Sequence, residues 1–196
     1  MPELAIVHDY LTQTGGAERV VRTLSDLYPD SPIYTSVYHP QLTFPEFKER
    51  DVRTTFLQHV VPHGKFRLAA PLYGYAFSKL DLSEYDQVLV TTSGFAHHIR
   101  HPNAYVLCHT PPHFICDLDE YLSPGLKRRA VEAAIPLLRI PDQRAAARHA
   151  NYRANSKFAA TKVKRHTAKT FESSTARFKP NTCRLNSHLC RTSTAR

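Results

Sequence analysis

The segment from residue 5 to residue 21 constrains the fold more than any other part of the chain. An apolar run ends in His8-Asp9, a short polar turn leads to Gly15-Gly16, and a helix-forming sequence follows. Glycines let the backbone approach a ligand closely, and the free N–H groups at a helix start favour an anion. The segment therefore predicts a binding site for a phosphate or a sugar diphosphate at a strand end. A βα turn without a ligand is the alternative. The glycine spacing is neither that of a dinucleotide fingerprint nor that of a P-loop.

Short apolar strands alternate with helical segments along the first 166 residues. Apolar and β-branched runs predict strands at 4–7, 33–37, 52–56, 85–92 and 104–108, and a short polar strand is predicted at 151–155. The segments between them predict helices at 17–28, 57–82 (mixed with Pro and Gly), 126–139, 141–150 and 157–166, with 39–50 as a loop. Such alternation is typical of a parallel sheet covered on both faces, so we expect an α/β, Rossmann-like doubly wound fold.

Side-chain patterns add detail to two of these helices. In the first, the apolar side chains expected on one face are Val20, Val21, Leu24 and Leu27. In the helix 141–150, Pro141 occupies a favourable first-turn position, so the pattern predicts a break just before it.

Polar residues and glycines follow three of the predicted strands. These groups are His8-Asp9 with Gly15-Gly16, then Ser93-Gly94, then His109-Thr110. Because ligands of doubly wound sheets collect at the carboxyl ends of the strands, we expect the three groups to form one site. For each histidine, a hydrogen-bonded position at a strand end is the alternative interpretation.

The size and composition of the chain indicate one full α/β domain. It has 196 residues, of which 42% are hydrophobic. No apolar run is long enough to cross a membrane, and the N-terminus leads straight into the first strand without a signal-peptide pattern. The four cysteines show no disulfide-like pattern. We therefore expect a cytoplasmic protein.

The net charge of +9 is confined to the last third of the chain. Residues 1–126 hold 9 Lys and Arg against 14 Asp and Glu, whereas residues 127–166 hold 11 against 2. This uneven distribution argues against nucleic-acid binding by the domain as a whole. The basic helix at 127–139 could instead lie on an anionic bilayer, or be an ordinary surface helix with a solvated cationic face.

From residue 167 the chain becomes polar and basic and has no apolar periodicity. Such a segment contributes little to a core, so we expect a disordered tail over 167–196. Cys183, His188 and Cys190 lie there, but their spacing is not one of known zinc sites, and we expect no metal.

Six motifs, in their order and spacing, resemble family 4 glycosyltransferases, and more narrowly the bacterial mannosyltransferase-like members that build surface polysaccharides. They are the segments 6–11 (IVHDYL), 15–18 (GGAE), 53–57 (RTTFL), 77–86 (FSKLDLSEYD), 108–111 (CHTP) and 154–158 (ANSKF). Each motif alone is weak, but together they are specific. The resemblance covers residues 3–166.

The resemblance implies a GT-B enzyme, built from two Rossmann-like domains, of which this chain is the N-terminal, acceptor-side one. It implies retaining transfer of a sugar, such as mannose, from a nucleotide-sugar donor to a saccharide or lipid-linked acceptor, without metal or cofactor. Gly15 and Gly16 would approach the donor diphosphate, and His109 would be the catalytic residue beside the transferred sugar. The implied acceptor-binding residues are His8, Asp9, Tyr10 and Thr110.

Beyond residue 166 the chain departs from the family pattern. The family continues with a Tyr-Gly stretch and a strand ending in Tyr-Pro-Pro-Val, and 167–196 contains neither. Reading the codons from His166 to Phe178 in a shifted frame permits most of that continuation. We therefore expect residues 1–166 to be the glycosyltransferase domain and 167–196 to be out-of-frame sequence. A truncated chain of this kind would be inactive alone, and the alternative function is a non-catalytic module that binds an acceptor or a partner.

Overall fold

A six-stranded, all-parallel sheet forms the centre of the protein. The computed structural model describes residues 3–61, 70–110 and 126–167. The strands are β1 (Leu4–His8), β2 (Ile33–Thr35), β3 (Val52–Thr54), β4 (Gln87–Thr92), β5 (Ala104–Cys108) and β6 (Asn151–Ala154). The helices are α1 (Gly16–Leu27), α2 (Leu57–Val60), α3 (Ala70–Ser78), α4 (Leu126–Arg148) and α5 (Lys157–Thr167), with 3-10 helices at Pro45–Glu49 and Ala96–His98.

The strand order β3-β2-β1-β4-β5-β6 is that of a Rossmann-like doubly wound sheet, which confirms the predicted fold class. Strand order reverses between β1 and β4, where His8 pairs in register with Thr91. Alternate residues of β1 enter different cores: Ile6 packs with the α1 side, and Ala5 and Val7 belong to the larger cluster on the other face. Both faces of the sheet are therefore covered, which explains why the central strands β1 and β4 are buried along almost their whole length.

All six predicted strands occur close to their expected positions. Helix α5 begins after Ser156, whose Oγ accepts a hydrogen bond from the Ala159 N–H at 3.1 Å and so caps the helix. The segment expected to be a loop at 39–50 contains the 3-10 helix Pro45–Glu49, because Phe47 is fully buried there against the α1 side of the sheet.

The predicted break before Pro141 is wrong. Helix α4 runs unbroken from Leu126 to Arg148 and contains both Pro136 and Pro141. Proline costs a helix one hydrogen bond, and tertiary packing offsets that loss. Directly after Pro141, the side chains of Asp142, Ala145 and Ala146 are buried, which holds the second part of the helix against the domain.

The predicted apolar face of α1 is also partly wrong. Val21 is buried, but Leu27 is 63% exposed, and Glu18 and Ser25 are buried instead. Residues 18, 21 and 25 lie on one face of a helix, so the buried face is rotated away from the one that hydrophobicity favours. The polar member of that face, Glu18, belongs to the candidate site described below.

Several predictions concern residues outside the described ranges. The predicted tail lies there from residue 168 onward, together with Cys183, His188 and Cys190. Within the described ranges, no helix combines the length and the apolar content that crossing a membrane requires.

The different burial of Leu11, in the core that α1 covers, and of Leu27, at the end of α1, predicts unequal effects for their Leu→Ala substitutions. Leu11 is fully buried beside Val21, whereas Leu27 is mostly exposed. Leu11→Ala should lower the free energy of unfolding by about 2–5 kcal/mol, since it leaves a cavity in the core. Leu27→Ala should change it by less than about 0.5 kcal/mol. Urea denaturation measures both, and equal losses would contradict the burial described here.

Candidate functional site

A cleft of about 460 Å³ lies at the carboxyl ends of β1, β4, β5 and β6, beside the point where strand order reverses. Its position is that of ligand sites in other doubly wound sheets. The residues that line it are Gln13, Gly16, Ala17, Glu18, Val20, Ser93, Leu107, His109, Thr110 and Asn155. The three groups of polar residues that the sequence places after separate strands therefore each contribute to one cleft.

The two glycines at the start of α1 have different surroundings. Gly15 precedes the helix, and a Cβ there would collide with the Glu18 carboxylate, so glycine leaves room for that side chain. A Cβ on Gly16 would meet nothing within 4 Å, and Gly16 lines the cleft. The backbone at Gly16 is thus open to a ligand, whereas Gly15 serves the packing of Glu18.

Glu18 is a carboxylate buried at the cleft, only 1% exposed. Its Oε1 lies 3.9 Å from Nε2 of His8, and its Oε2 has no hydrogen-bond partner among the described residues. Burial acts to raise the pKa of Glu18, but interactions with His8, with its own N–H and with Gln13 outweigh burial and lower it. A charged oxygen is therefore held beside the helix start, where the helix dipole favours it.

His8 lies beneath the cleft rather than in it. Its ring is 1% exposed, and its Nδ1 is 2.7 Å from Thr91 Oγ1 and 3.1 Å from the Thr91 carbonyl oxygen. Its Nε2 faces Glu18 and has no hydrogen-bond partner in the described ranges. His8 thus connects β4 to the buried carboxylate of α1.

Asp9 binds the loop that follows β4. Its Oδ1 accepts hydrogen bonds from the N–H groups of Phe95 and Ala96 at 2.8 and 2.7 Å, and its Oδ2 accepts one from Ser93 N–H at 2.5 Å. The Thr92 hydroxyl donates to the same carboxylate at 3.2 Å. Four neighbouring donors surround a carboxylate that is 3% exposed, so Asp9 holds the loop that brings Ser93 to the cleft.

His109 lines the cleft and is held at two points. The backbone N–H of His109 donates to the Thr92 carbonyl oxygen at 2.8 Å, and the ring nitrogen Nδ1 of His109 is 3.1 Å from Nδ2 of Asn155. Burial, with a smaller contribution from the nearby His8, lowers its pKa to about 4. The ring is therefore neutral at pH 7, and its Nε2 has no hydrogen-bond partner among the described residues.

The structure brings four of the predicted site residues to the cleft surface: Gly16, Ser93, His109 and Thr110. Gly15, His8 and Asp9 lie around or below it, and the ring of the half-buried Tyr10 is 6.5 Å from that of His8. The roles of His8, Asp9 and Tyr10 in acceptor binding stay predictions. In this structure, His8 and Asp9 contribute by holding the elements that form the cleft.

The sequence interpretation did not single out Glu18 or Asn155 as site residues. A signal for Glu18 exists in the helical spacing of residues 18, 21 and 25, which places it on the buried face of α1. Asn155 follows β6 as His109 follows β5, and the register that aligns Cys108 with Ala154 makes the two side chains neighbours. That register is a tertiary feature, and the local sequence around Asn155 does not specify it.

The cleft presents the groups that usually recognise sugar hydroxyls. Amides come from Gln13 and Asn155, hydroxyls from Ser93 and Thr110, and a neutral imidazole from His109. None of the described residues that line it is Lys or Arg.

Comparison with known proteins adds no relative, since no family model, curated protein or solved structure matches the chain.

The role of Asp9 predicts a large loss of stability on Asp9→Asn. An amide has only one accepting oxygen, so at least one buried N–H loses its partner. We expect a loss of at least about 2 kcal/mol in the free energy of unfolding, measured with urea. Asp26→Asn, which breaks an exposed ion pair with Arg50, is the matched control and should cost less than about 1 kcal/mol. Equal losses would refute the assigned role of Asp9.

The lowered pKa of His109 predicts a pH dependence with a defined sign. An unfolded histidine has a pKa of about 6.5, so the contribution of His109 to stability is complete above that pH and disappears as the pH falls toward 4. In an NMR titration, the imidazole signal that His109→Gln removes should titrate near pH 4. His59→Gln, at an exposed position, is the control that identifies a different signal. A His109 signal titrating near 6.5 would contradict the burial that lowers its pKa.

Proposed function

We propose that residues 1–166 form the acceptor-side domain of a retaining, GT-B-type glycosyltransferase. The donor would be a nucleotide-sugar, such as a nucleotide-mannose, and the acceptor a saccharide or a lipid-linked saccharide. The observation that carries the proposal is the cleft, because residues of the GGAE, CHTP and ANSKF motifs all line it. These motifs are up to about 140 residues apart in the sequence and carry the resemblance independently of the fold.

The composition of the cleft supports a sugar as its ligand. Amides, hydroxyls and a neutral imidazole form directional hydrogen bonds with neutral hydroxyl groups. His109 lines the cleft, its buried Nε2 has no hydrogen-bond partner among the described residues, and its Nδ1 accepts a hydrogen bond from Asn155. The ring is neutral, which leaves Nδ1 free to accept the hydrogen bond from Asn155, and its proton is then on Nε2.

The same composition supports the acceptor side of the reaction over the donor side. A departing nucleoside diphosphate gains negative charge, which N–H groups and cations must stabilise. Here the start of α1 at Gly16 supplies N–H groups, while Glu18 adds negative charge and the described lining residues include no Lys or Arg. The Arg and Lys side chains that bind the donor diphosphate would come from a second domain facing this cleft, as in family 4 glycosyltransferases.

A second candidate function rests on the absence of Lys and Arg among the lining residues that the structure describes. A domain that offers sugar-binding groups but no diphosphate-binding cations can act as a non-catalytic module for an acceptor or a partner. Both functions share the saccharide site and differ in turnover. Transfer from a nucleotide-mannose donor by the purified chain, alone or with a separate donor domain, supports the enzyme.

Binding of mannose-containing oligosaccharides, measured by NMR line broadening or calorimetry, tests the site itself. Asn155→Ala removes one amide and loosens His109, so we expect it to weaken binding about fivefold or more, which corresponds to about 1 kcal/mol per hydrogen bond. Asn103→Ala, in the turn before β5, is the matched control and should leave the affinity unchanged. Binding without transfer favours the non-catalytic module. If no saccharide binds to the folded chain, both functions are wrong.

A further inference from the structure

A second cluster of polar side chains lies beyond the loop that Asp9 holds. His97 and His98 belong to the 3-10 helix Ala96–His98, and Asp142 belongs to α4. All three are buried, with exposures of 1%, 7% and 1%. None of them lines the saccharide cleft, and the proposed function does not use them.

The ligand atoms of this cluster are spaced as in a metal site. Nε2 of His97 and Nε2 of His98 each lie 3.1 Å from the same Oδ1 of Asp142, and the candidate ligand atoms all lie within 4.8 Å of one another. Zinc bonds to imidazole nitrogen and carboxylate oxygen are about 2.0–2.1 Å long, so neighbouring ligands of a tetrahedral site are about 3.3 Å apart. The two N···O distances are close to that value.

Hydrogen bonding alone leaves this cluster incompletely satisfied. His98 is hydrogen-bonded to Asp142, but neither ring nitrogen of His97 has a hydrogen-bond partner among the described residues. A polar atom that is buried away from water without a hydrogen-bond partner is energetically unfavourable. Nε2 of His97 is within 3.1 Å of Asp142 Oδ1 without forming a well-directed hydrogen bond, and a metal ion between the two atoms would bind both.

Neighbouring elements hold both histidines in place. Gly74 of α3 lies so close to His98 that a Cβ there would be 2.7 Å from its Nδ1. The carbonyl oxygen of His97 is 2.7 Å from Nε2 of the buried His149, and the ring of His97 packs edge-on against Tyr152 of β6. Fixed ligands reduce the ordering that metal binding requires.

We propose that His97, His98 and Asp142 bind one divalent transition-metal ion, with Zn²⁺ as the best match. Two imidazoles and one carboxylate suit zinc, whereas Mg²⁺ and Ca²⁺ prefer oxygen ligands. Three protein ligands leave the fourth tetrahedral position for water. The ion would fasten α4 to the loop after β4 and so stabilise the loop that carries Ser93. The positive charge of the Arg148 guanidinium is a minor contribution to the lowered pKa of His98. Because Arg148 is exposed, solvent screens that charge.

Metal titration of the full chain, after removal of bound metal with a chelator, tests this site. We expect one Zn²⁺ per chain and a rise in Tm of about 5 °C or more when free Zn²⁺ is 100-fold above Kd. Co²⁺ in place of Zn²⁺ should give the visible absorption of a four-coordinate site. Asp142→Asn and His97→Gln should each weaken binding by at least about tenfold.

Two controls separate this site from other histidines and cysteines. His101→Gln removes an imidazole three residues after His98, and Cys183→Ser with Cys190→Ser removes the thiols of the tail. Both should bind Zn²⁺ like the unchanged chain. If Asp142→Asn fails to fold, Co²⁺ must still shift the NMR signals of the His97 and His98 rings in the unchanged chain. The proposal is overturned if the folded chain binds no metal, if Asp142→Asn binds normally, or if the cysteine variant loses binding.

Discussion

The carboxylate of Asp9 connects the parts of the molecule on which both proposed sites depend. Asp9 follows β1, and its carboxylate accepts hydrogen bonds from the N–H groups of Ser93, Phe95 and Ala96 after β4. The backbone carbonyl oxygen of Asp9 accepts a hydrogen bond from Ser36 N–H after β2. Three strand ends are thereby joined at the place where strand order reverses. One side of the loop so held contributes Ser93 to the cleft, and the other side begins the 3-10 helix that carries His97 and His98. A buried carboxylate with these donors is strongly stabilised, because charge-assisted hydrogen bonds exceed neutral ones.

Buried polar side chains support the cleft from below. His8 is hydrogen-bonded to Thr91 and faces Glu18, and Glu18 occupies the space that Gly15 leaves open. Such groups are costly to bury unless they interact with one another, and they are concentrated here at the carboxyl ends of the strands. This arrangement explains why Gly15 and Gly16 differ in role. The first makes room for a side chain, and the second exposes the start of α1 to the cleft.

Much of the fold follows from local patterns. Five apolar or β-branched runs and one short polar run, separated by helix-length segments, predict six strands. The lack of alternation in the apolar runs predicts a sheet covered on both faces, as found. The errors have a common cause. Helix α4 continues through Pro141 because Asp142, Ala145 and Ala146 are buried. Helix α1 buries Glu18, which faces the buried His8, while Leu27 stays exposed. In both helices, packing with distant residues overrides the local preference.

The sequence by itself determined the fold class and the grouping of Gly16, Ser93, His109 and Thr110 at one edge of the sheet. Parallel strands place all their carboxyl ends at the same edge, so the order of motifs along the chain suffices for that conclusion. Only the tertiary structure decided which polar groups are buried, which reach the cleft, and which distant pairs meet. Asn155 meets His109 through the register of β5 and β6, and Asp142 meets His97 and His98 through the packing of α4. Those contacts depend on strand register and helix packing across 44 to 46 residues, which no local pattern encodes.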